Sequence, residues 1–144
     1  MIKVLIYGLG HIGGSLALSI RKNLSKSHKV LGIDTSKATI KKIKEKKLFK
    51  TAKAGSKEAS LMLSNADLIF VCVSPNNIEE VFKIIKQSDT KKNLIVSDVA
   101  SIKSDVVLLA KKYLKKISFV GGHPIAGTEK SGFQNSDPNL FKNK

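Results

Sequence analysis

The strongest constraint on the fold is a glycine-rich turn close to the amino terminus. The apolar run Ile2–Tyr7 predicts a strand, and the sequence "GLGHIGGS" follows it at once. Gly8, Gly10 and Gly13 have the spacing G-x-G-x-x-G. The glycines are therefore predicted to turn a buried strand directly into a helix. Apolar residues recur every four positions beyond the turn, as on one helix face, at Ile12, Leu16, Ile20 and Leu24.

The same alternation of apolar runs and helical patterns continues along the chain. Ser36 can cap a helix that runs to about Lys47, and Ser74–Pro75 begins another. A length of 144 residues fits a single domain. We predict an α/β fold over residues 1–144: a Rossmann-type, doubly wound, mainly parallel sheet with helices on both faces. The predicted strands are Ile2–Tyr7, Val30–Ile33, Leu68–Val73, Leu94–Val96 and Ile117–Val120, with a short extended piece near Phe49–Ala54.

A glycine turn of this kind suits the pyrophosphate of a dinucleotide. Gly8 allows the tight turn, Gly10 lets the backbone approach the pyrophosphate, and Gly13 lets the helix pack closely on the sheet. The amino terminus of the helix stabilises the negative charge. We expect His11 near the pyrophosphate or in solvent, with no catalytic role. The positions between the glycines are predicted to line the cofactor site: Leu9, His11 and Ile12.

An acidic residue ends the second predicted strand. Asp34 follows the glycine turn by roughly 20 residues, where a carboxylate accepts hydrogen bonds from the ribose hydroxyls of NAD. A carboxylate there repels the 2′-phosphate of NADP, so the sequence favours NAD. Thr35, Ser36 and Lys37 keep NADP open, because a hydroxyl and an ammonium group can accommodate that phosphate. The alternative is a glycine turn that binds nothing, with Asp34 as a turn residue.

Further candidates follow other predicted strands. Ligands of open α/β sheets lie beyond the carboxyl ends of the strands, so Val73, Ser74 and Pro75 are predicted to contact the cofactor. An ordinary helix cap explains these three residues equally well. Ser101, in "SDVASIKSD", has two interpretations: an N-cap, or a hydroxyl at the nicotinamide edge of the crevice.

The stretch "VGGHPIAGTEKSG", Val120–Gly132, follows the last predicted strand and so reaches the same edge of the sheet. His123 would approach the crevice there from the side opposite Ser101. Histidine suits proton transfer near neutral pH. From the residues alone, a structural histidine remains the alternative.

Charge and composition exclude several classes of function. The net charge is +15, but Arg21 is the single arginine among 26 basic residues, and the lysines are spread along the chain. Specific nucleic-acid binding is therefore not expected, because base readout and phosphate clamps favour arginine. Cys72 is the only cysteine, which rules out an internal disulfide. We expect no metal, no membrane span and a cytoplasmic location.

Taken together, these motifs resemble the prephenate dehydrogenase family of tyrosine biosynthesis, which includes arogenate and cyclohexadienyl dehydrogenases. The matching stretches are "GLGHIGGSLAL", "DVASIK" and "GGHPIAGTEKSG". The resemblance implies NAD(P)-dependent oxidative decarboxylation of prephenate or arogenate. It implies that His123 is the catalytic histidine at the substrate 4-hydroxyl, that Ser101 orients both groups, and that Glu129 lies at the substrate entrance.

The chain departs from the family in one respect. Family members continue into a helical domain that forms a homodimer and supplies cations for the substrate carboxylates, and no arginine follows Arg21 here. We therefore expect a cofactor-binding portion that turns over prephenate poorly. Two other functions stay open. One is a different Rossmann dehydrogenase, such as a hydroxyacid or imino-acid reductase, and the other is a non-catalytic dinucleotide-binding module.

Overall fold

A computed structural model describes residues 1–127 and 129–143 of the chain. Within them, six parallel strands form one sheet in the order β3-β2-β1-β4-β5-β6. The predicted α/β, Rossmann-type fold is confirmed. The strands are β1 Ile2–Tyr7, β2 His28–Asp34, β3 Lys50–Lys53, β4 Leu68–Val71, β5 Ile95–Asp98 and β6 Ser118–Val120.

Five helices cover the two faces of this sheet. They are α1 His11–Leu24, α2 Lys37–Glu45, α3 Lys57–Asn65, α4 Ile78–Gln87 and α5 Lys103–Tyr113. One face carries α1 and α2, whose Ala17, Ile20 and Ile43 pack with Val4 and Ile6 of β1. The strand order changes direction between β1 and β4, which opens a crevice beyond their carboxyl ends.

The opposite face carries α3, α4 and α5. Leu5 and Ile69 of the sheet pack there with Met62, Phe82 and Val106 from these three helices. Because neighbouring residues of a strand point to opposite faces, β1 alternates between the two cores: Leu5 lies in one and Ile6 in the other. Burial on both faces explains why the central strands are apolar runs and not alternating patterns.

Three local predictions need correction. The predicted face of α1 is wrong at its end, because Leu24 is 44% exposed whereas Gly13 and Gly14 are buried. Small residues at the start of α1 are buried instead: Gly13 lies against the Gly8 carbonyl and the Cys72 side chain, and Gly14 lies against Phe133 and Ser136. Ser74 is the N-cap residue of the 3-10 turn Pro75–Asn77 that leads into α4, with Pro75 in the first turn as predicted, but its side chain makes no capping hydrogen bond to the backbone. Ser101 is not an N-cap either, since α5 begins after Ile102.

The carboxy-terminal residues beyond β6 are irregular but packed. Phe133, in a 3-10 turn Phe133–Asn135, is buried among the residues of the α1 face and lies edge-on to Phe49 at 6.5 Å between ring centroids. The Ser15 hydroxyl of α1 accepts the Asp137 N–H at 2.9 Å. This segment therefore fastens the end of the chain to α1. None of the helices in the described residues is long and apolar enough to cross a membrane.

Candidate functional site

The three glycines of the turn differ in the space that a Cβ atom would have at each position. Gly8 has φ +96°, and a Cβ there would lie 2.6 Å from the Cys72 carbonyl oxygen. A Cβ at Gly13 would overlap the Gly8 carbonyl oxygen, so α1 and the turn are in direct contact. A Cβ at Gly10 would meet nothing within 4 Å. The backbone at Gly10 therefore faces open space, which a pyrophosphate can approach.

The amino terminus of α1 is free to bind an anion. Gly10 is its N-cap, and no side chain in the described residues caps the helix. Its first turn holds no acidic residue. The helix dipole and the unpaired N–H groups of this turn therefore favour a negative ligand. The glycine turn and the helix together fit the pyrophosphate of a dinucleotide.

His11 is the first residue of α1, and it is buried with only 8% of its surface exposed. The expectation that this side chain could lie in solvent is wrong. Neither ring nitrogen has a hydrogen-bond partner among the described residues. A buried polar group without a partner is costly. An unpartnered imidazole at this position is compatible with a ligand group that completes its hydrogen bonding.

Asp34 connects the end of β2 to the glycine turn. Its Oδ2 accepts the Leu9 N–H at 2.6 Å, and its Oδ1 accepts the Ser36 N–H at 2.7 Å. The Ser36 hydroxyl in turn accepts the Thr39 N–H at 3.2 Å and caps α2. The Ser36 N–H is thus used within the protein, whereas the Ser36 hydroxyl accepts a bond and still has its own proton to donate. Asp34 lies between the glycine turn and α2, where a carboxylate can also accept hydrogen bonds from a ribose.

A cavity of about 430 Å³ lies beside Asp34, beyond the ends of β1, β2 and β4. Val73 lines it, as its place after β4 predicts, whereas the exposed Ser74 and Pro75 are not among its lining residues. The sequence analysis missed Asn77 and Glu80, which line the cavity from the start of α4. They follow the end of β4 by six and nine residues, and no residue pattern in the sequence marks them as cavity residues.

Negative charge in this cavity acts on a buried phenol. Burial raises the pKa of Tyr7 above its ordinary value, and the charges of Glu80 and Asp34 raise it further. The Tyr7 hydroxyl therefore stays protonated at neutral pH. Two carboxylates beside one cavity repel further negative charge, so this cavity is unfavourable for the 2′-phosphate of NADP.

The other half of the site lies beyond β5 and β6. Asp98 ends β5 with its side chain fully buried. Its Oδ2 accepts the Ala100 N–H at 2.9 Å, and its Oδ1 accepts the Gly122 N–H at 3.1 Å. Ser101 and His123, the residues that follow these two donors, are exposed. The structure thus brings both loops to one carboxylate, and sequence analysis did not give Asp98 that role.

The remaining predicted site residues differ in their surroundings. Ile12 is half-buried, and its Cδ1 would lie 3.1 Å from a Cβ at Gly127. The loop beyond β6 therefore passes over the start of α1, next to the glycine turn. Glu129 is exposed farther along the same loop, and Thr128 lies outside the described residues. Burial and the charge of Asp98 raise the pKa of Cys72 to about 12, so this thiol is not a nucleophile.

A larger hollow of about 700 Å³ lies elsewhere, at the carboxyl ends of α4 and α5. Lysines dominate its walls, and no predicted site residue belongs to it. Lysines near helix carboxyl ends are stabilised by the helix dipole, which explains Lys86 and Lys112 without a ligand.

These features define a dinucleotide-binding domain of the dehydrogenase class: parallel strands in the order 3-2-1-4-5-6, a glycine turn at β1 and an acid at β2. Residues 16–144 match the family described as prephenate dehydrogenase, nucleotide-binding domain. The chain belongs to that family, and the resemblance stated from sequence is confirmed.

Individual relatives agree with this assignment. The chain is 37% identical over 145 residues to prephenate dehydrogenase of Lactococcus lactis, covering 99% of this chain and 39% of that protein. It is similar to prephenate dehydrogenase from A. aeolicus in complex with hydroxyphenyl propionate and NAD+, with 31% identity and a TM-score of 0.87, covering 100% and 49%. Synechocystis arogenate dehydrogenase gives 30% identity and 0.82, covering 96% and 46%. This chain thus spans less than half of each relative.

Proposed function

We propose that this chain is the NAD-binding domain of a dehydrogenase that oxidises and decarboxylates prephenate or arogenate. The observation that carries the proposal is the joining of two half-sites at one edge of the sheet. The glycine turn with Asp34 forms the cofactor half. The loops that carry Ser101 and His123 form the substrate half, where Asp98 holds them together.

The cofactor half would hold NAD as follows. The N–H groups at the start of α1 bind the pyrophosphate over Gly10, and Asp34 accepts the ribose hydroxyls. The cavity beside Tyr7, Asn77 and Glu80 takes the adenosine. When bound, NAD supplies a hydride acceptor for the substrate ring carbon that bears the 4-hydroxyl.

The residues of the substrate half would transfer a proton during the reaction. His123 accepts the proton of the 4-hydroxyl as that carbon becomes a carbonyl. Ser101 orients the imidazole and the hydroxyl, and its freedom from any capping role leaves its side chain available for this. Glu129 lies farther along the same exposed loop and contributes to the substrate entrance. Loss of the ring carboxylate as carbon dioxide then moves its bonding electrons through the ring to the carbonyl oxygen, which takes the proton back from His123 as the aromatic product forms.

The polar groups around the ribose favour NAD over NADP. Asp34 and Glu80 both line the cavity, and the Ser36 N–H is already bound to Asp34. A 2′-phosphate would therefore meet two carboxylates, which disfavour it despite the nearby hydroxyls of Thr35 and Ser36 and the Lys37 ammonium. A location in the cytoplasm and a homodimer in the complete enzyme remain predictions.

Calorimetric titration of the chain with NAD and with NADP tests the cofactor half. We expect NAD to bind at least tenfold more tightly than NADP. Asp34→Asn should weaken NAD about 10-fold or more, because a hydrogen bond to a charged group contributes about 1.5–3 kcal/mol. Asp89→Asn removes the same charge from an exposed residue outside this cavity and should change neither affinity. Tighter binding of NADP would contradict the proposed role of Asp34.

Formation of NADH in the presence of prephenate or arogenate tests the reaction. We expect weak turnover by this chain and robust turnover by any longer gene product that contains it. In the active protein, His123→Asn should reduce kcat by at least 100-fold, the scale of general acid–base catalysis, with NAD affinity unchanged. Turnover that survives this substitution would contradict the role of His123 and favour a domain that only binds the dinucleotide.

A further inference from the structure

Asp98 occupies an unusual position for a charged residue. It is the last residue of β5, and its side chain has 0% exposure. The carboxylate is fully satisfied nonetheless. It accepts the N–H groups of Ala100 and Gly122 and forms an ion pair with Lys103. A buried charge is tolerated when it is paired and hydrogen-bonded in this way.

The two backbone donors come from the two loops of the substrate half. Ala100 directly precedes Ser101, and Gly122 directly precedes His123. They bond to different oxygens of one planar carboxylate, at 2.9 and 3.1 Å. The separation of the two loops is therefore fixed by a single rigid group. An asparagine cannot reproduce this, because it has only one accepting oxygen.

The two loops are also held by a close backbone contact between Gly122 and the end of β5. A Cβ at Gly122 would lie 2.5 Å from the Asp98 carbonyl oxygen and 3.1 Å from the Ser97 hydroxyl oxygen. The loop beyond β6 thus lies against the end of β5 with no room for a side chain. A Cβ at the neighbouring Gly121 would meet nothing closer than 3.5 Å. Only the second glycine of the pair is required by this contact.

Lys103 completes the arrangement from the first turn of α5. Its ammonium group pairs with Asp98 Oδ2, the oxygen that also accepts the Ala100 N–H. The lysine side chain is 32% exposed, so the positive charge stays partly hydrated while the carboxylate is buried. This pairing orients the start of α5 relative to β5, and Ser101 lies between them.

We propose that Asp98 is a positioning residue that sets the spacing between Ser101 and His123 by bonding to both loops. The proposal rests on the proposed function, since the spacing matters only if both side chains act on one substrate. Asp98 acts through the backbone of Ala100 and Gly122, and it need not touch the substrate itself. Displacement of either loop would misplace a proton acceptor, which costs rate without weakening cofactor binding.

Nuclear magnetic resonance on the full chain tests this spacing directly. The chain has three histidines, so the ring signal of His123 can be assigned by substitution. Asp98→Asn should shift the His123 ring signal and the Gly122 amide signal, while NAD affinity stays within twofold. Gly122→Ala should shift the same signals without altering the Asp98 side chain. If Asp98→Asn does not fold, Gly122→Ala is the variant that tests the spacing of the loops. Gly121→Ala is the matched control and should leave the His123 ring signal in place.

Kinetics of the active protein that contains this domain give the second measurement. Asp98→Asn and Gly122→Ala should each lower kcat at least tenfold with the KM for NAD within twofold. Folded variants with unchanged His123 signals and unchanged kcat would overturn the proposal. Failure of the wild-type chain to bind NAD would instead contradict the proposed function, while the signals of Gly122 and His123 would still report on Asp98.

Discussion

The two halves of the site are built in different ways. The glycine turn between β1 and α1 is fixed by close backbone contacts, since Gly8 and Gly13 have no space for a Cβ. The described residues of the loop from Gly121 to Gly132 lie largely on the surface, where His123 is exposed and Ile125 is 78% exposed. Described contacts that hold this loop in place include one hydrogen bond to Asp98 and the steric fit of Gly122.

This difference matches what the proposed function demands of each half. A pyrophosphate site needs a preorganised backbone, because its donors are N–H groups whose direction the turn must set. A substrate site must admit and release its ligand, so side chains on an open loop suit it. Backbone strain also differs. Gly8 takes its positive φ at no cost, whereas Ile125 has φ +46°, which disfavours a β-branched residue.

The largest effect is expected from filling the contact inside the glycine turn. In Gly13→Ala, the new methyl group would overlap the Gly8 carbonyl oxygen and press on the Cys72 side chain. We expect the free energy of unfolding to fall by about 3 kcal/mol or more, the upper range for overpacking a core. Urea unfolding followed by circular dichroism measures this change.

Gly10→Ala is the matched control for that substitution. A Cβ at Gly10 meets nothing within 4 Å of the protein, so the free energy of unfolding should change by less than about 0.5 kcal/mol. The methyl group would occupy the space left for the pyrophosphate, so NAD affinity should still fall. Equal destabilisation by both substitutions would show that the turn is not held by the Gly13 contact.

How much of the site could be predicted follows from the same contrast. The glycine turn and Asp34 could be proposed as a site because G-x-G-x-x-G after a strand, with an acid ending the next strand, is a recognised dinucleotide pattern. The contact between Asp98 and Gly122 spans a similar separation, 24 residues compared with 25 for Leu9 and Asp34, but no comparable residue pattern marks its two partners. Glu80 was missed for a similar reason, because the cavity that it lines forms only after β1, β2 and β4 assemble.

Helix patterns alone were also an imperfect guide. The apolar positions of α1 predicted a buried Leu24, but this end of the helix is exposed and the close contacts are made by Gly13 and Gly14 at its start. The carboxy-terminal segment showed no periodicity, yet Phe133 is buried against α1, next to Gly14. A single buried side chain in an irregular segment has no pattern that a sequence could display.

The next largest effect is expected at Phe133, whose buried ring joins the segment after the loop Gly121–Gly132 to α1. Phe133→Ala should lower the free energy of unfolding by about 3 kcal/mol, since it removes a buried aromatic ring that packs on Phe49. Thermal unfolding measures the loss. Leu108→Ala, at a 63% exposed position of α5, should change stability by less than about 0.5 kcal/mol. A Phe133 variant as stable as the Leu108 variant would mean that the segment does not anchor the loop.

The smallest effect is expected at a second carboxylate, Asp67, which resembles Asp98 in its partners but not in its exposure. Asp67 precedes β4, accepts the Lys3 N–H at 2.8 Å and pairs with Lys91 at 2.6 Å. Its side chain is 35% exposed, compared with 0% for Asp98. Solvent screening therefore limits its contribution to less than about 1 kcal/mol.

The pH dependence of stability separates Asp67→Asn from the parent chain. The backbone hydrogen bond from Lys3 lowers the pKa of Asp67, and the Lys91 ammonium lowers it further. A carboxyl group with a lowered pKa stabilises the fold above its ordinary pKa, and this contribution is lost as the pH falls through the lowered value. We therefore expect Asp67→Asn to be slightly less stable than the parent at pH 7 and equally stable at low pH. A loss at pH 7 well above about 1 kcal/mol would show that the partners of Asp67 outweigh its exposure to solvent.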